Sequence, residues 1–241
     1  MIWFIIATLV AFFIKGLCGF ANTLIFNGIL SYTANNINIS PLEVVLGYPS
    51  NIILVWKERK SLNWKIWLPL TALVVAGSIP GIFLLKHTDL LKVIFGIAVI
   101  IIGIEMLFRE MKSSKSSNKK SGGSKIVLVL TGIISGLLCG LYGVGALLAA
   151  YVSRVAENSH EFKANICVVF VVENTIRIIL YAATGILTLA VLKQVVILIP
   201  FMLAAVFLGM KSSSVLNEKV IKKIVIVLLI LSGIVLIINN L

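Results

Sequence analysis

Long apolar runs with few or no charges recur along the whole chain, and eight can be marked: roughly residues 2–33, 41–56, 66–85, 90–108, 126–153, 164–186, 190–210 and 221–240. Many lie near the roughly 20 residues that a helix needs to cross a bilayer core. This pattern predicts an all-α polytopic membrane protein with no soluble domain left over. Two runs are too long for one crossing. As straight helices, 2–33 and 126–153 would extend about 48 and 42 Å against a hydrocarbon core of about 30 Å. The first contains VAFFIKGLCGFANTLIF, where a lysine, two glycines and an asparagine interrupt an otherwise apolar stretch.

Between the fourth and fifth runs, EMKSSKSSNKKSGGSK at 110–125 is rich in Ser, Gly and Lys and reads as a flexible, solvated linker. It divides the chain into two membrane repeats, 1–109 and 126–241. Gly16-Leu17-Cys18-Gly19-Phe20 pairs with Gly140-Leu141-Tyr142-Gly143-Val144 at a shift of 124, each midway along the long first run of its half. Asn51 then pairs with Asn174, Pro69 with Pro200, Gly81 with Gly209 and Gly103 with Gly233, in the same order.

Composition sharpens this picture. Of 241 residues, 60% are hydrophobic and 12% charged, against roughly 25% charged in a soluble domain. The net charge of +12 is that of a membrane protein holding Lys and Arg in its cytoplasmic loops, so no nucleic-acid partner is expected. The N-terminal MIWFIIATLV has neither the basic lead nor the cleavage site of a signal peptide, and is expected to be retained. Cys18, Cys139 and Cys167 all lie in apolar runs and define no disulfide framework.

Loop charge decides between tilted helices and hairpins. If all eight runs cross the membrane, basic loop residues divide eleven to eight. If 2–33 and 126–153 instead enter, break at their glycines and return, the split becomes sixteen to three, with only Lys86, Lys92 and Lys193 on the minority side. The positive-inside rule favours the second arrangement. It places both termini outside and 110–125 in the cytoplasm, with three crossings and one re-entrant hairpin per half. An odd number of crossings inverts the second repeat, the architecture of many secondary transporters.

The motifs GLCGFANT and GLYGVGAL opening the two halves, the polar central linker and about 240 residues of small apolar segments resemble the sulfite exporter TauE/SafE family of membrane transporters. The resemblance covers essentially the whole chain. It implies a transporter, not an enzyme, for sulfite, sulfonates or other small organosulfur or carboxylate anions across the cytoplasmic membrane, frequently as an exporter.

The residues supply candidates for such a site. A helix broken at membrane depth must be buried in protein or line a wet cavity. The outgoing half of each hairpin would begin near Asn22 or Ala146, offering free N–H groups and a positive dipole end to an anion. Gly16, Gly19, Gly143 and Gly145 mark the breaks, whereas Gly132, Gly136 and Gly140 read as a packing stripe. Lys15 either attracts the anion or reaches for the head groups or a structural carboxylate. Glu173 and Arg177, four apart on one helical face, are either a structural ion pair or a proton-coupling carboxylate beside an oxyanion-binding guanidinium. Asn51 and Asn174 would approach the centre from opposite halves, to bond substrate, hairpin backbone or each other's helices. Glu43 and Glu105 read as interfacial, with no role, and Cys18 as apolar filler. No metal-ligand cluster, nucleotide loop or catalytic triad is present in the sequence and no cofactor is expected, so transport would draw on substrate or ion gradients, with a proton or sodium as the coupling partner. Rival readings are a scaffold or accessory subunit, and an intramembrane enzyme.

Overall fold

A computed structural model describes residues 1–30, 36–84 and 145–217, with isolated helical positions at 97, 100 and 104 and between 220 and 238. Among the described residues every regular element is helical: α1 (Ile2–Cys18), α2 (Asn22–Leu30), α3 (Asn36–Glu58) continued by a 3-10 turn (Arg59–Ser61), α4 (Trp64–Leu84), α5 (Ala146–Val155), α6 (Ser159–Ala183) and α7 (Leu189–Val215). The linker 110–125, Glu105, Gly143, Cys139 and the Gly132, Gly136 and Gly140 stripe lie outside the described residues, as does nearly all of the fourth apolar run.

Run 2–33 is not one helix. Gly19 closes α1 in the left-handed region, at φ 88°, and its N–H donates to the Lys15 carbonyl at 2.6 Å. A glycine here is the usual left-handed terminator, since a Cβ disfavours that conformation. Ala21, at φ 73°, makes a second reversal before α2 begins at Asn22. The chain folds back on itself. Phe12 and Phe26, seven residues before and after Gly19, bring their ring centroids to 6.5 Å in an edge-to-face contact, whereas a continuous helix would separate them by about 21 Å.

The spans 39–61, Ser159–Ala183 and Leu189–Val215 are long and apolar enough to cross a membrane. Their outer faces are apolar: Ile179, Val196, Ile197, Phe207 and Leu208 are exposed, together with Ile2, Trp3 and Val10 of α1. Trp56 and Trp64 are exposed among the basic residues Lys57, Arg59, Lys60 and Lys65 of the α3–α4 connector, as aromatic residues are at a membrane–water boundary.

Inside, α1 packs most extensively on α7, and α3 on α6. The α1–α7 crossing is made by glycine. A Cβ on Gly16 would overlap the Val206 carbonyl oxygen, and one on Gly209 the Phe13 carbonyl oxygen, with the partner's Cα at 3.1 and 3.0 Å. Backbones therefore touch directly, the contact that small residues provide where no hydrophobic effect drives helices together. At the Trp56 end, two connectors from different halves of the chain meet. Glu58 Oε2 and His160 Nδ1 lie 2.8 Å apart, the Asn63 side chain donates to Glu161 Oε1 at 2.9 Å, and the Asn63 backbone N–H donates to Asn165 Oδ1 at 3.0 Å. Nearby, the buried Lys163 donates to Ser213 of α7.

A buried polar cavity at the helix break

The break in the first run opens on a cavity between the two halves of the chain. Lys15, Asn22, Thr23, Glu43 and Asn51 line it from the first half, and Gly145, Phe170, Glu173 and Asn174 from the second. Its volume is about 20 Å³, room for little more than one water. Glu173 and Asn174 fall near the middle of the 25-residue α6, so the cavity sits at membrane depth rather than at an end of the bundle.

Each wall has a local cause. Asn22 and Thr23 open α2, and both side chains donate to Glu43 Oε1 of α3, Thr23 Oγ1 at 2.9 Å. The hairpin tip is thereby fixed to α3 by a carboxylate. Lys15, 1% exposed in the last turn of α1, donates to the Gly47 carbonyl at 3.3 Å, with its ammonium 5.7 Å from the Phe12 ring centroid. Among the described residues no carboxylate lies within ion-pair distance of Lys15, so the expectation of a structural partner in that role gives way to a backbone carbonyl. Gly47 lies where polar side chains come close: a Cβ there would stand 3.3 Å from Glu43 Oε1, 3.4 Å from Asn174 Nδ2 and 3.6 Å from Asn22 Nδ2. It lets three polar groups converge.

Asn51 is fully buried, and among the described residues neither its Oδ1 nor its Nδ2 has a hydrogen-bond partner; the same holds for Glu173 Oε1. Buried polar atoms are paired in the great majority of cases. Both residues are among those that line the cavity. Gly145 forms the opposite wall, directly before α5, and a Cβ there would overlap the Phe170 ring.

Several sequence expectations meet their geometry here. Lys15, Asn22, Asn51, Gly145, Glu173 and Asn174 come together on one cavity, and α2 and α5 begin at Asn22 and Ala146. Gly19 is the break itself, pressed against Lys163, whose Cγ would lie 3.0 Å from an added Cβ. Gly16 differs: it lies inside α1 and serves the crossing with α7. Arg177 differs too. It is buried one turn beyond the wall, its Nη2 donating to Ser40 Oγ at 2.8 Å and Tyr181 Oη at 3.0 Å, with Nε 3.6 Å from Glu173 Oε1. It braces Glu173 instead of facing the cavity. Cys18 is buried apolar packing.

Glu43 is the residue that sequence reasoning missed. Read as interfacial, it is 2% exposed and central to the site. Its spacing carried a signal, because Glu43, Gly47 and Asn51 fall four apart and so share one face of α3.

An all-helical bundle with apolar flanks, an interrupted helix and a buried polar cavity between its halves is a multi-pass membrane protein built like a transporter. The family model described as Sulfite exporter TauE/SafE matches residues 4–236, nearly the whole chain, and the chain belongs to that family, whose members are transporters and not enzymes. No curated protein and no solved structure matches it.

Proposed function

We propose that this protein is a secondary transporter moving a small anion, such as sulfite, a sulfonate or another organosulfur or carboxylate anion, across the cytoplasmic membrane by alternating access. The observation that carries the reading is the interrupted helix opening on a buried cavity whose walls come from both halves and include Lys15 and the first turn of α2. The lysine and the N-terminal end of a helix both favour negative charge. The cavity is walled by both halves, and the two halves rock against each other to load and release the anion. Glu173 is a coupling carboxylate for a proton or sodium ion, and Glu43 stands beside it as a second.

The topology behind this reading is two inverted repeats, 1–109 and 126–241, with re-entrant first segments, the linker 110–125 in the cytoplasm and both termini outside. The meeting of connectors 57–65 and 156–165 supports it. Were all eight apolar runs to cross, those connectors would lie on opposite faces of the bilayer.

Flux into proteoliposomes tests the function. Lys15→Gln and Asn22→Ala are expected to insert and fold like the parent while losing anion flux by at least about tenfold, or 1.4 kcal/mol. Unchanged flux in both variants, or flux of cations or neutral solutes alone, would refute the assignment.

A further inference from the structure

Anion sites ordinarily exclude carboxylates, yet this cavity has two. Glu43 and Glu173 are both buried and both line it, facing Lys15 from α1, with Arg177 one turn beyond Glu173 on α6. Glu43 Oε1 already accepts from Asn22 and Thr23. Among the described residues Glu173 Oε1 accepts no hydrogen bond, its nearest cation being Arg177 Nε at 3.6 Å, and Asn51 offers an acceptor and a donor, both unused. The walls thus present donors, from Lys15 and the Asn51 amide nitrogen, beside unused acceptors on Glu173 and Asn51. A fully deprotonated oxyanion satisfies the donors and confronts the carboxylate oxygen with a like charge. A ligand that carries a proton satisfies both.

We infer that, within the anion-transport reading, the site selects oxyanions that bear a hydrogen-bond donor. Glu173 Oε1 and Asn51 Oδ1 accept from the ligand's O–H, and Lys15 and Asn51 Nδ2 donate to its charged oxygens. Hydrogensulfite or a hydroxyalkanesulfonate meets the requirement; sulfate does not. A site built to accept a substrate hydroxyl rejects analogues without one far more strongly than an apolar pocket rejects a missing methylene, because its buried acceptors are left unpaired.

The experiment uses matched probes on the purified full chain in detergent, with binding read by isothermal titration at pH 6. Sulfite, mostly hydrogensulfite at that pH, is set against chlorate, a pyramidal monoanion with three oxygens and no proton. 2-Hydroxyethanesulfonate is set against propanesulfonate. The donor-bearing member of at least one pair is expected to bind about a hundredfold more tightly than its partner. Affinity for total sulfite should fall about tenfold per pH unit once the anion loses its proton. In Glu173→Gln, whose amide can donate, chlorate and propanesulfonate should gain affinity and the discrimination collapse. If chlorate and propanesulfonate bind the parent as tightly as their partners, Glu173 is itself the protonated group and the inference fails while anion transport stands. If no anion binds, both fall. The wild-type pairs decide the matter even if the variant does not fold.

Discussion

Replacing Asn51 by leucine should make the protein more stable and less able to bind its substrate. The Asn51 side chain is fully buried and both its polar atoms lack partners among the described residues. Each unsatisfied buried group costs about 1–3 kcal/mol, and that penalty disappears when a group of similar shape and no polarity takes its place. The tetrahedral Cγ of leucine, slightly bulkier than the planar amide, returns about 1 kcal/mol of strain. The net gain is about 1–5 kcal/mol for the two atoms together, which in a chain of this length raises the midpoint by about 2–4 °C per kcal/mol. The neighbouring Ser50 is an internal control. It is equally buried, but its hydroxyl donates to the Gly47 carbonyl at 2.7 Å, so Ser50→Ala should shift stability the other way, by up to about 1 kcal/mol. Thermal unfolding of both variants and the parent, at one scan rate in one detergent, measures the difference, and anion titration measures the loss of binding. An Asn51→Leu protein that melts below the parent, or one that is stabilised and still binds normally, would refute the claim that this amide is held unpaired for a ligand.

Other substitutions probe the scaffold. Gly19→Ala places a Cβ in the left-handed region and against the Lys163 stem; it should cost about 1–2 kcal/mol from the backbone alone, read as a lowered melting point, with Gly19→Asn less harmful. Gly209→Ala drives a methyl into the Phe13 carbonyl, so α1 and α7 must separate, with a loss of about 1–3 kcal/mol and weaker protection of α1 in hydrogen exchange. Glu43→Leu strands the Asn22 and Thr23 donors and should destabilise by about 1–3 kcal/mol, whereas Glu43→Gln keeps an acceptor and should lose less. Cysteines placed at Trp56 and at His160, beside the two connectors, should react with an impermeant thiol reagent from the same side of sealed vesicles. Labelling from opposite sides would overturn the re-entrant topology.

Hydropathy along the chain was enough to determine the helical, membrane-spanning class, and the overlong first run with its glycines was enough to locate a break near Asn22. Basic-residue asymmetry pointed to a hairpin before any contact was known. These are local or additive properties: bilayer thickness sets how many apolar residues a helix needs, and loop charge adds without regard to packing. Only the tertiary structure separated Gly16 from Gly19, because a glycine that ends a helix and one that lets two helices touch look alike in sequence and differ in what lies opposite them. It also moved Glu43 from the interface to the centre and Arg177 from the centre to a brace. A carboxylate's place along a helix says how deep it sits, but not which face it shares. That face is fixed by what crosses it: here the hairpin tip, which brings the donors of Asn22 and Thr23 to Glu43.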